Sequence, residues 1–190
     1  MISATDQALI KRVQTLQCQD SFSVLVERHQ SDLRYSLRQM TNWDEGLADD
    51  LSQETFLKAY QSIKTFRGSA KFSSWLYRIA YNLMISHFRV ARNREETGVE
   101  VLTDIPASQM RTETSQQDLH RDLARAMKVL PATQRMALHL NLHRELTHSE
   151  ISDIMEIPLG TVKTAINRGK ITLRQNLAGW NSEETRLVNQ

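Results

Sequence analysis

Cysteine is nearly absent: Cys18 is the only one, so the chain can form no intramolecular disulfide and no thiolate-built zinc cluster. A reducing cytoplasm is the expected setting. Proline and glycine number only 3 and 6, too few for a fibrous repeat or a turn-dominated chain. No run of about 18 apolar residues occurs, and residues 1–7 lack a basic flank followed by an apolar segment. Neither direct membrane insertion nor export by a signal peptide is expected. Charge of one sign is missing as well. The 24 Lys and Arg against 22 Asp and Glu leave a formal charge of +2, so only the distribution of charge, not its total, can point to a polyanionic partner.

What is present suffices for packed cores: 190 residues, 40% of them hydrophobic, make one domain or two small ones. Apolar residues recur at helical spacing at Leu9, Val13 and Leu16, then at Phe22, Leu25, Leu33, Leu37 and Met40. Two helices are predicted there, broken near residues 17–20. Asn42 and Glu45 have the spacing of a capping box and predict a helix over about 43–63. After a polar loop containing Gly68, residues 74–92 read as one long helix with Leu76, Ile79, Ala80, Leu83, His87 and Val90 along one stripe. Periodicity then stops, and acidic residues gather with Gly98 and Pro106. Leu119, Leu123, Ala126, Met127 and Leu130 mark a further helix, and Pro131 opens the next. No convincing alternating strand pattern appears. The expected fold is all-α: a helical domain over 1–94, an acidic flexible linker over 95–117 and a smaller helical domain over 118–190.

Three constellations carry chemistry. In the C-terminal domain, Thr147 and Glu150 form a second capping box, and Ile151, Ile154 and Met155 give a short helix a buried face. Pro158 with Gly160 is expected to turn the chain into a helix over about 161–178, which is helix-turn-helix spacing. On that second helix Val162, Ile166, Gly169, Leu173 and Leu177 fall inward, while Lys163, Asn167, Lys170 and Arg174 line an outward stripe. No acid occurs from residue 159 to 182. Such a helix can enter a major groove, where Lys and Arg meet phosphates or guanine edges and Asn pairs with adenine. The competing reading is a solvated amphipathic helix that closes a bundle.

On the helix over 74–92 a second stripe holds Trp75, Arg78, Asn82, Ser86 and Arg89. Aromatic and basic groups together suit unpaired nucleic acid, since a base stacks on the indole while arginines hold phosphates. Tyr77, Tyr81 and Phe88 can equally be packing residues. In residues 49–57, Asp50, Gln53 and Glu54 share one face and make an acceptor patch for arginines of a protein partner.

Residues 50–60 (Asp-Leu-Ser-Gln-Glu-Thr-Phe-Leu-Lys-Ala-Tyr), 66–68 (Phe-Arg-Gly), 72–82 (Phe-Ser-Ser-Trp-Leu-Tyr-Arg-Ile-Ala-Tyr-Asn) and 160–163 (Gly-Thr-Val-Lys) resemble, in order and spacing, the signature blocks of extracytoplasmic-function bacterial sigma factors of the sigma-70 family. The resemblance covers both domains. It implies a two-domain initiation factor, not an enzyme and without cofactor or metal, that directs core RNA polymerase to promoter DNA and promotes strand opening. It implies that Asp50, Gln53 and Glu54 contact the coiled coil of the largest polymerase subunit. Phe66, Lys71, Trp75, Arg78, Asn82 and Arg89 would open the start-proximal promoter element and hold an extruded base. Lys163, Thr164, Asn167, Lys170 and Arg174 would read the upstream element. It further implies an anti-sigma factor, often membrane-anchored, that masks the polymerase-binding surfaces.

The sequence departs from the family pattern at Ala165, where arginine is common, and at Gly169, where alanine is common. The rival function is a stand-alone helix-turn-helix regulator that binds duplex DNA. A metal reading would rest on His139 and His143, four apart on one helix face, with His148 nearby. No cysteine or clear carboxylate completes the set, and surface histidines at a helix end are the simpler expectation.

Overall fold

The computed structural model describes residues 4–96 and 126–187, with side chains over 4–91 and 126–176. Every regular element among the described residues is a helix. They divide into an N-terminal and a C-terminal unit. All but the first two residues of the expected linker lie outside the described residues, as do Leu119 and Leu123.

The N-terminal unit is built from α1 (Asp6–Leu16), α2 (Gln19–Met40), α3 (Glu45–Ser62), a 3-10 turn (Ile63–Thr65) and α4 (Phe72–Glu96). Thr5 caps α1 by accepting from the Ala8 amide at 3.3 Å, and Gln17 ends it in the left-handed region at φ 50°. Helix α2 packs on α1, α3 and α4, and α3 on α4. Leu25, Leu33, Leu37 and Met40 from α2, Leu51 and Ala59 from α3, and Leu76, Ala80 and Met84 from α4 are buried. Each fully buried Leu or Met contributes about 1.5–3 kcal/mol, so apolar burial carries this unit.

The start of α3 departs from expectation. Asn42 and Trp43 both adopt positive φ, 57° and 65°, and Asp44 is the cap, its Oδ1 accepting from the Leu47 amide at 2.9 Å. Asparagine tolerates the left-handed region better than most residues, so Asn42 serves the exit from α2 and leaves the capping to Asp44. Helix α4 is longer than expected because residues 93–96 contain neither glycine nor proline. Its apolar stripe stops early: His87 and Val90 are exposed, and Met84 is buried instead.

The C-terminal unit contains α5 (Ala132–Leu142), α6 (His148–Met155) and α7 (Leu159–Leu187). Pro131 is the residue before α5, and its carbonyl accepts from the Arg135 amide at 3.0 Å. The Thr147 capping box is present: the Glu150 amide donates to Thr147 Oγ1 at 3.3 Å, and the Thr147 amide donates to Glu150 Oε2 at 2.8 Å. The turn that follows is not made by Gly160. Glu156 takes the left-handed conformation at φ 53°, the Ser152 hydroxyl donates to the Ile157 carbonyl at 2.6 Å, and α7 is already under way at Gly160. Pro158 supplies the first acceptor of α7, for the Thr161 amide at 2.8 Å.

Helix α5 is buried from Arg135 to Leu140. The Nε and Nη1 of Arg135 have no hydrogen-bond partner among the described residues, and burial lowers the guanidinium from its ordinary pKa. His139 is not a surface histidine: it is fully buried, stacked on His143 at 5.2 Å between centroids. Burial, followed by the charges of His143 and Arg144, pushes its imidazole down to about 3. No group of three or more metal-ligating side chains occurs among the described residues, and no described helix is long and apolar enough to cross a membrane.

Candidate nucleic-acid interface

Helix α4 separates its two stripes because apolar and polar positions keep different phases of the 3.6-residue turn. Arg78, Asn82, Ser86 and Arg89 are exposed, and Trp75 is half-buried. The five lie within a sector of about 80°. Tyr77 and Tyr81 are buried and so are packing residues, while Phe88 is half-buried.

Trp75 does not stand alone. Its ring lies 5.3 Å from that of Phe66 and 5.8 Å from that of Phe72, and Phe66 and Phe72 are 5.8 Å apart. Phe66 enters this cluster from the residue that ends the 3-10 turn. Residues 67–71 are exposed, Lys71 among them, and Gly68 provides the positive φ, 74°, that the loop requires. The cluster is an aromatic wall beside exposed cations, with the Asn82 amide one and a half to two turns further along the same face. That arrangement can stack an unpaired base and hold the backbone around it.

A cleft of about 300 Å³ opens between the loop and α1, with Asp6, Ile10 and His29 on one side and Phe66, Gly68 and Phe72 on the other. Asp6 Oδ1 accepts from Arg28 at 2.8 Å, and its Oδ2 lies 2.7 Å from His29 Nε2. Partial burial works against the carboxylate, but the hydrogen bonds and charges of Arg28 and His29 outweigh it and hold Asp6 below its usual pKa.

On α3, Asp50, Gln53 and Glu54 are all exposed. Glu54 Oε1 lies 3.3 Å from Lys58 Nζ, and the neighbouring Asp49 is held by Arg34 at 3.0 Å. Asp50 makes no ion pair among the described residues. Leu57 is 57% exposed, about two turns on from Asp50 and on the same face. It was not singled out in the sequence, where the only available signal was an apolar residue out of phase with the buried Leu51, Thr55 and Ala59.

In the C-terminal unit Val162, Ile166 and Leu173 are buried, and Gly169 faces α5; Leu177 lies outside the described side chains. Lys163, Asn167 and Arg174 are exposed and Lys170 is half-exposed, all within about 60° of arc. Thr164 is exposed but lies off that stripe, its hydroxyl donating to the Gly160 carbonyl at 2.8 Å. It neighbours Arg168, an exposed cation that the sequence reading passed over. Thr161, Thr164, Ala165 and Arg168 line a surface groove of about 460 Å³ beside the start of α5. Ala165 is itself buried in its wall, where a longer side chain would project into the groove.

The family model for Sigma-70 region 2 matches residues 25–94, and that for Sigma-70, region 4 matches residues 120–173. The chain is 36% identical to the ECF RNA polymerase sigma factor SigW of Bacillus subtilis, over 84% of this chain and 90% of that protein. It is 33% identical to the ECF RNA polymerase sigma-E factor of Escherichia coli strain K12, over 87% and 91%. Among solved structures it is similar to the sigma factor RpoE of Bartonella quintana in complex with the anti-sigma factor NepR, with TM-score 0.65, 25% identity, and 83% and 96% of the two chains covered. CnrH in complex with the cytosolic domain of CnrY shares the fold, with TM-score 0.67, 22% identity, and 92% and 97% covered.

Proposed function

The chain belongs to the sigma-70 family as an extracytoplasmic-function sigma factor, and from that premise we propose how its two units divide the work of transcription initiation. It is an alternative sigma factor that binds bacterial core RNA polymerase and promoter DNA. It acts by binding, not by catalysis, and it works in the cytoplasm, where core polymerase is.

Asp50, Gln53 and Glu54 are the core-binding patch, with Leu57 as an apolar contact at its edge. Acceptors on one exposed helix face suit a cationic partner surface, and charge complementarity sets both partner choice and association rate. Phe66, Lys71, Trp75, Arg78, Asn82 and Arg89 take the start-proximal element. Stacking one base on an aromatic is worth about 1–3 kcal/mol, whereas each duplex step holds about 1.4 kcal/mol. Capturing one base therefore nucleates opening and cannot by itself supply the energy for a whole bubble. Lys163, Asn167, Lys170 and Arg174 face the upstream element, with Thr164 and Arg168 at the flank of that stripe.

The observation that carries this reading is the joint presence of an exposed Arg78–Asn82–Arg89 stripe beside an aromatic wall in one unit and an acid-free cationic helix face in the other. A duplex-only regulator has no use for the first. An anti-sigma factor is the expected regulator, as in the similar complexes, and covering the α3 patch would be enough to inhibit. Run-off transcription with purified core polymerase tests the function: the chain should confer promoter-specific transcripts. A chain that binds duplex DNA alone and leaves core polymerase unselective would be a stand-alone regulator instead.

A further inference from the structure

Helix α1 precedes the stretch that matches region 2 of the family, which begins at residue 25, and none of the proposed promoter or polymerase contacts lies on it. Its own contacts suggest what it does. Gln14, half-buried on α1, points its amide nitrogen at the 3-10 turn, donating to the Ile63 carbonyl at 2.8 Å and to the Phe66 carbonyl at 2.9 Å. A side-chain amide nitrogen carries two protons, so one residue serves both acceptors. The Phe66 carbonyl is the last backbone group before residues 67–71 run out into solvent.

The far end of the same loop is also tied to α1. Phe72 meets the His29 ring at 5.3 Å, edge to face, and His29 is held by Asp6 from the first turn of α1. The two ends of one helix therefore grip the two ends of the loop, Gln14 directly and Asp6 through His29. What lies between is exposed and turns on Gly68.

We propose that Gln14 is a positioning residue for strand opening: it fixes the Phe66 carbonyl, and with it the Phe66 ring against Trp75, so that the aromatic wall exists before a base arrives. This rests on the sigma-factor reading above. A receptor ordered in advance spares the arriving base the entropy of ordering it, and a freed side chain at an interface weakens capture by about three- to tenfold. Gln14 touches no nucleic acid in this scheme, so its loss should slow opening and leave polymerase binding alone.

The test uses holoenzyme reconstituted from the full chain and core polymerase, with Gln14→Leu and Gln14→Ala compared on a duplex promoter and on the same promoter with its start-proximal element already mismatched open. The expected result is core affinity within about twofold of wild type, opening of the duplex about three- to tenfold slower by permanganate reactivity, and wild-type transcription from the pre-opened template. Opening of the duplex at the wild-type rate overturns the proposal. So does an equal loss on both templates, which would make Gln14 a fold-stabilising residue only. The alanine variant preserves helix propensity and keeps the test intact if the leucine variant does not fold. If the wild-type chain yields no transcript from either template, the sigma-factor reading falls, and this proposal with it.

Discussion

Gly169 of α7 lies so close to Leu138 of α5 that a Cβ built on the glycine would stand 2.5 Å from Leu138 Cδ1 and 3.1 Å from its Cγ. Leu138 is fully buried and cannot simply swing into solvent. A glycine in mid-helix is therefore a packing requirement of this chain. It lets the cationic helix sit down on α5 with its Lys163 to Arg174 stripe facing out.

Gly169→Ala measures that requirement. Alanine gains about 1 kcal/mol of helix propensity over glycine, and forcing a methyl into a filled site costs about 1–3 kcal/mol. The net expectation is a loss of about 1 kcal/mol in urea unfolding of the C-terminal unit. In a Leu138→Ala background the obstacle is gone, and the same change should stabilise by up to about 1 kcal/mol. Equal effects in the two backgrounds would show that the two residues do not press on each other.

Acid should unfold the C-terminal unit through His139. Its pKa falls from 6.5 in the free side chain to about 3 in the folded chain, so between those values the unfolded state binds a proton that the folded state refuses. Stability then rises with pH across the window and is lost on acidification, by up to about 1.4 kcal/mol per pH unit. His139→Met should flatten the dependence measured by urea midpoints from pH 7 to 4. Parallel profiles for wild type and variant would assign the acid sensitivity to other groups.

The residues that the sequence failed to place share a physical reason. Stripes on α4 and α7 are legible because exposure follows a period of 3.6 residues, which is why Arg78, Asn82, Lys163 and Asn167 emerge on the expected faces. Backbone reversals are less so. Glu156 turns the chain in a left-handed conformation that its side chain does not advertise, while Pro158 and Gly160, the residues a turn reading favours, belong to the start of α7. Asn42 and Asp44 offer two alternative caps, and spacing alone cannot say whether the helix starts with the Glu45 amide capped by Asn42 or, as it does, with the Leu47 amide capped by Asp44. Least legible is Gln14, whose acceptors are 49 and 52 residues away. A single polar residue on an amphipathic helix carries no periodic signal of such a bridge.

Charge reversal on α3 separates folding from polymerase binding. Glu54→Arg removes an exposed pair with Lys58 worth about 0.2–0.5 kcal/mol, so the helices should persist by circular dichroism. Asp50→Arg with Glu54→Arg should weaken core binding at least about tenfold, because like charges at an interface cost several kcal/mol. Leu57→Ala should weaken it less and leave its salt dependence unchanged. Undiminished binding of the folded double variant would remove this face from the interface.

On α7, Asn167→Ala and Lys170→Ala should differ in kind. Loss of a bidentate amide contact relaxes preference at one base position by about 1–3 kcal/mol. Loss of a phosphate contact weakens all sequences alike and lowers the salt slope. Holoenzyme affinities for upstream-element variants at several salt concentrations distinguish the two. If neither quantity moves in either variant, the stripe is only a solvated helix face.

The most direct measurement of the central claim is permanganate reactivity of a duplex promoter with core polymerase alone, with the chain alone and with both, alongside Trp75→Ala and Asn82→Ala. Only the wild-type mixture should make thymines near the start site fully reactive, and each variant should bind core normally yet open about tenfold less, in line with the 1–3 kcal/mol of a stacked base. Opening by Trp75→Ala and Asn82→Ala equal to wild type, or no opening when chain and core are combined, would contradict the account.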